Sequence, residues 1–93
     1  MKKYRAVFYN KTQFVEYMEW NAEHLTKERF RQVIGELSFW AAQSYEYKNM
    51  KAVIERNGKE IMTIICETIT DGSTITSYLS NKGQVFRQMV VAA

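Results

Sequence analysis

Three dipeptides, Asn57-Gly58, Asp71-Gly72 and Lys82-Gly83, divide the second half of the chain into runs rich in Ile, Val, Thr, Tyr and Phe. Glycine enters positive φ without a Cβ clash, and Asn-Gly and Asp-Gly suit two-residue turns whose twist matches paired strands. The cadence predicts an antiparallel meander of four strands over 50–56, 59–70, 73–79 and 84–91. The second of these is the longest and most apolar. Read as a strand, it places Met62, Ile64 and Cys66 on one face and Ile61, Ile65 and Ile69 on the other.

Upstream, 3–9 reads as a first strand, with Tyr4, Ala6 and Phe8 alternating against Arg5, Val7 and Tyr9. Asn10 or Thr12 offers a helix N-cap. Phe14, Tyr17, Met18, Ala22 and Leu25 then recur at helical spacing, with Glu16, Glu19 and Glu23 opposite, which predicts an amphipathic helix of about three turns. Thr26 offers a second cap, followed by the stripe Phe30, Val33, Ile34, Leu37 and Ala41. This predicts a second helix from Lys27 to around Ser44, while 45–49 fits either a helix end or a strand start. A tight joint near His24-Leu25 makes the two helices a hairpin.

The expected fold is therefore α+β, in the order β-α-α-β-β-β-β. The helical hairpin packs on one face of an antiparallel sheet of five strands, with the first strand at an edge or inserted between two others. The 93 residues form a single domain, 1–93. Two helices can cover only one face of such a sheet, so its second apolar face needs a partner, a second copy or strong curvature.

An apolar fraction of 46% excludes a disordered chain, and no stretch reaches the 18 or so apolar residues of a membrane span. Met1-Lys2-Lys3 begins like a signal peptide, but Tyr9-Asn10-Lys11 interrupts the apolar run at once. The lone Cys66 forms no internal disulfide, which fits a reducing, cytoplasmic address. Asn10-Lys11-Thr12 has the form of a glycosylation acceptor, without a secretory signal to make it one. The net charge of +3 is mild, and nucleic-acid proteins carry a denser basic stripe.

The residues give little sign of catalysis. Cys66 with His24 makes a nucleophile and base on paper, but a thiol inside Ile64-Ile65-Cys66 reads as buried and inert. One His and one Cys do not make a zinc site, the four glycines are too dispersed for a phosphate loop, and no cofactor is implied. Asp71-Gly72-Ser73-Thr74 is explained by its turn.

The aromatic residues are more informative. Trp20 lies off its stripe beside the glutamates. Phe39 lies opposite the stripe of the second helix, one turn after Gly35, a knob beside a hole that suits either close approach of the protein's own C-terminal strand or loop, or a partner surface.

The order strand, two helices, meander, opened by Lys3-Tyr4-Arg5-Ala6-Val7-Phe8, resembles the RelE-type ribosome-dependent RNase toxins. That resemblance implies an RNA-acting sheet, on which Arg56, Tyr78, Lys82 and Arg87 stand where those toxins carry Arg, Lys and Tyr or His. Trp40-Ala41, Tyr45, Asn49 and Val53 is similar to a segment of the Dmd type of bacteriophage antitoxin, which inhibits a host RNase. This implies a phage or mobile-element protein acting on a host target.

The leading expectation is a non-enzymatic protein-binding module, a regulator or inhibitor of a host protein, with no membrane association. Its partner-binding candidates are Trp20, Phe39, Ile61, Ile65, Ile69, Glu16, Glu19 and Glu23. A homodimer through the sheet face is compatible with it. The alternative is an RNA binder or RelE-like RNase using Arg56, Tyr78, Lys82 and Arg87.

Overall fold

The computed structural model describes residues 1–92. Six strands and one long helix follow one another along the chain: β1 (Lys2–Asn10), β2 (Gln13–Ala22), α1 (Lys27–Ala41), a 3-10 turn at Tyr45–Tyr47, β3 (Asn49–Arg56), β4 (Lys59–Thr68), β5 (Thr74–Ser80) and β6 (Val85–Val91). All six strands join one antiparallel sheet in the order β2-β1-β3-β4-β5-β6.

This corrects the expected helical hairpin on a five-stranded sheet. The segment read as a first helix is β2, folded back on β1 through the two-residue turn Lys11-Thr12, with Lys11 at φ 58°. Its apolar spacing happens to fit both periods. Paired with β1, it points Glu16, Met18 and Trp20 to one face, opposite Phe8, Ala6 and Tyr4. Many β-branched and aromatic residues (Phe14, Val15, Tyr17, Trp20) favour a pleated surface over a helix. The chain order that carried the RelE resemblance is therefore absent: one helix, not two, separates the N-terminal strands from the rest.

Thr26 caps α1, its side chain accepting from the Arg29 amide at 3.3 Å, and Glu28 lies in the first turn where the helix dipole favours an acid. The helix lies over β3 and β4 and buries Val33 and Leu37 against the sheet. On the β5 side Phe30 stacks on Tyr78 with ring centroids 5.7 Å apart. On the β2 side the Arg29 guanidinium sits 5.5 Å over the ring of Trp20, which itself stacks on Tyr4 at 5.6 Å. Tyr4, Phe8, Met50, Ile54 and Ile64 complete a core that lies between the helix and the strands in the middle of the sheet.

Gly58, Gly72 and Gly83 adopt φ of 81°, 86° and 80° at the three remaining hairpin turns. The first of these turns is tied to β1 as well, since Lys3 donates to Asn57 Oδ1 at 2.9 Å and the Asn57 amide donates back to the Lys3 carbonyl at 2.7 Å.

Leu37→Ala should cost about 2–5 kcal/mol, because the side chain is 1% exposed and its removal leaves a cavity. Phe39→Ala, two positions on and 54% exposed, should stay within about 0.5 kcal/mol of the parent. Urea midpoints of the two variants check both; equal losses would contradict this account of the core.

Candidate functional site

One helix cannot cover six strands. An α-helix is about 10 Å wide, whereas six strands span about 24 Å. The uncovered part on the helix side lies at β5 and β6. There a groove of about 430 Å³ runs between α1 and the sheet, with Ile34 and Ala41 on one wall and Cys66, Tyr78, Met89 and Val91 on the other. Beside it, β6 forms the edge of the sheet, and all seven of its residues are exposed. Val85, Phe86, Met89, Val90 and Val91 are all apolar, between 43% and 67% exposed.

The two edges differ in their protection. β2 carries Glu16 and Glu19 and faces an irregular register at Phe8/Tyr9. β6 carries a single charge, Arg87, whose guanidinium lies 5.7 Å over the Tyr78 ring. A register shift at Tyr78/Leu79 interrupts only the start of its ladder. Inward and edge charges are the usual defence of a sheet edge against further pairing, and β6 lacks most of it.

The residues named from the sequence as partner contacts are dispersed. Glu16 points to the helix side, where its Oε1 accepts from Trp40 Nε1 at 3.0 Å. Glu19 points to the other face and accepts from Arg5 Nε at 3.0 Å. Glu23, beyond the end of β2, lies 3.6 Å from the terminal ammonium. The helical spacing that grouped these three does not exist in a strand. Trp20 is 7% exposed, covered by Arg29, while Phe39 is exposed on α1 with its ring edge-on to Trp40.

The three isoleucines also part company. Ile65, half-buried between Lys51 and Ser77, is on the face away from α1. Ile61, beside the register shift at Ile54/Glu55, packs against the core cluster. Ile69 lies past the end of β4, its amide donating to the Ser73 carbonyl at 2.9 Å. Of the residues named for RNA contact, Tyr78 is buried under Phe30, Arg87 lies on the β6 edge, and Arg56 and Lys82 sit by separate turns.

Cys66 and His24 are held apart, with β1 and β3 between β2 and β4, a lateral separation of about 14 Å. Burial pushes the Cys66 thiol up, with a hydrogen bond to Thr76 opposing, so it stays protonated at neutral pH. Among the described residues no three His, Cys, Asp or Glu side chains gather as a metal site, and no helix is long and apolar enough to cross a membrane.

The β6 edge and its groove were missed by the sequence reading. The available signal was the absence of any Asp or Glu after Asp71, combined with the apolar run Val90-Val91 in the last strand. No family model, curated protein or solved structure matches this chain.

Glu36 of α1 and Glu16 of β2 bring two carboxyls together at the far edge. A hydrogen bond to Glu16 raises the pKa of Glu36 above its ordinary 4.5, helped by partial loss of water and by the negative charge of Glu16. A group whose folded pKa is raised gives stability that is complete below its unfolded pKa and is lost as pH climbs through the folded one. Glu36→Gln, which keeps a donor without a charge, should therefore be more stable than the parent at neutral pH. The gap should close below pH 4.5. Urea titrations at both pH values test this, and an unchanged gap would refute it.

Proposed function

We propose that this chain is a protein-binding module that takes an extended segment of a partner onto β6, adding a seventh strand to the sheet. The observation that carries this reading is the exposed, largely apolar β6 edge beside an apolar groove. In strand addition, main-chain hydrogen bonds along the free edge supply affinity, and pockets for alternate side chains supply specificity. Here Met89 and Val91 alternate towards the groove, while Gln88 and Val90 face the other side.

The chemistry of the partner follows from charge. No carboxylate occurs after Asp71, and Lys82 and Arg87 are the only charged side chains there. The matching segment is largely apolar with an Asp or Glu set opposite Arg87, its groove-side apolar residues lying beside Met89 and Val91.

Selection from a display library of random peptides on the whole chain tests this. The expected consensus is an extended, largely apolar segment with an Asp or Glu on the groove side, which shifts the β6 amide resonances. The double substitution Met89→Lys, Val90→Lys restores gatekeeper charges on exposed positions and should weaken binding at least tenfold while leaving the fold intact. Peptides that bind both forms equally would overturn the reading. So would a dimer, seen by light scattering and dissolved by the same substitutions, because β6 would then be occupied by a second copy.

A further inference from the structure

The opposite end of the sheet carries a second surface that shares no residue with β6 or its groove. On the face away from α1, Tyr9 of β1 is the register partner of Phe14 of β2, with ring centroids 6.5 Å apart and planes at 78°. Phe14 lies 6.5 Å from Tyr17 at 38°, so three rings adjoin across two strands. Phe14 is 55% exposed and Tyr17 56%.

Cations are interleaved with these rings. The Lys51 ammonium, from the register partner of Tyr9 on β3, lies 5.2 Å over the Tyr9 ring. The Arg5 guanidinium lies 5.1 Å over Tyr17, oriented by Glu19. At the end of the strands, Lys11 and Lys48 line an open groove with Tyr45, and Glu46 is the sole acid in its lining. Lys48 Nζ sits 4.2 Å over the Tyr45 ring, which is itself 78% exposed. Lys11, Lys48 and Lys51 take part in no ion pair among the described residues.

We propose that this corner binds a single-stranded nucleic acid, with bases on Tyr9, Phe14 and Tyr17 and phosphates on Lys11, Lys48 and Lys51. Protein interface cores are rich in aromatic residues but depleted of lysine, so three unpaired lysines around exposed rings fit a polyanion better than a protein. An open sheet with rings on it stacks unpaired bases, and a basic track beside it follows the backbone. Arg5, tied to Glu19, positions Tyr17 and leaves the phosphates to the lysines.

The test is fluorescence anisotropy of the whole chain with labelled oligouridine and oligothymidine of 12 nucleotides, across a salt series. Binding should weaken with salt at a log–log slope near −2, from about 0.7 per neutralised phosphate on a single strand. Lys51→Ala should flatten the slope by about 0.7. Phe14→Ala and Tyr17→Ala, both at exposed positions, should each weaken binding about 5- to 150-fold with an unchanged melting temperature. The RNA and DNA arms decide between the two sources.

Three results would overturn the proposal: no binding of either oligomer, equal affinity for a duplex, or binding that ignores Phe14 and Tyr17 but falls when Lys82 and Arg87 are replaced. Met89→Lys with Val90→Lys should leave oligonucleotide binding unchanged. Failure of this proposal is thereby separable from failure of strand addition at β6.

Discussion

The structure depends on β1 lying inside the sheet, between β2 and β3, with a single helix packed over β3 and β4. Tyr4, Ala6 and Phe8 are at most 1% exposed because they have a strand on each side and the helix layer above. Burying apolar area at about 25 cal/mol per Å² makes such central positions the main source of stability in a chain this small. A 15-residue helix covers the middle strands and no more. The bare margin at β5 and β6 is thus a geometric result of pairing six strands with one helix, whereas at the β2 edge Arg29 and Trp40 of the helix reach Trp20 and Glu16.

The two margins are chemically unlike. At β2 the edge carries glutamates, one of which, Glu16, accepts a hydrogen bond from Trp40 of the helix. At β6 the edge is apolar and cationic, and its groove stays open because α1 presents only Ile34, Ser38, Ala41 and Ala42 there. Small side chains on that flank leave space that a Phe or Leu would fill. On the far face, rings and lysines collect at the β1–β2 turn rather than across the sheet. An apolar edge and a basic aromatic corner thus lie at opposite ends of one sheet.

Much of the C-terminal half was legible, because glycine at positive φ is a local requirement and leaves a local mark in the sequence. The span of α1 was legible for a similar reason, since Thr26 and the Phe30, Val33, Leu37 stripe report capping and burial directly. β2 was not. Its turn, Lys11-Thr12, has no glycine although Lys11 takes φ 58°, and its alternation is masked by a glutamate on the buried face. Glu16 reads as polar and outward until Trp40, twenty-four residues later, supplies its hydrogen bond. The site residues failed with it: Trp20 judged off-stripe for a helix is in phase for a strand. The β6 edge was missed for a different reason, since exposure depends on strand order, and strand order is set by β1 joining β3.

That junction also orders the assembly of the fold. The pairs β1–β2, β3–β4, β4–β5 and β5–β6 are all hairpins between sequence neighbours. Only β1–β3 joins distant segments, Phe8 with Ala52, across the whole length of α1. Closing so long a loop costs entropy before any contact repays it. Two local units, an N-terminal hairpin and a four-strand meander, thus meet at one seam, and the reciprocal bonds between Lys3 and Asn57 close one end of it. The joining of these two halves therefore carries the largest closure entropy in the fold, with α1 as the tether that keeps them within reach.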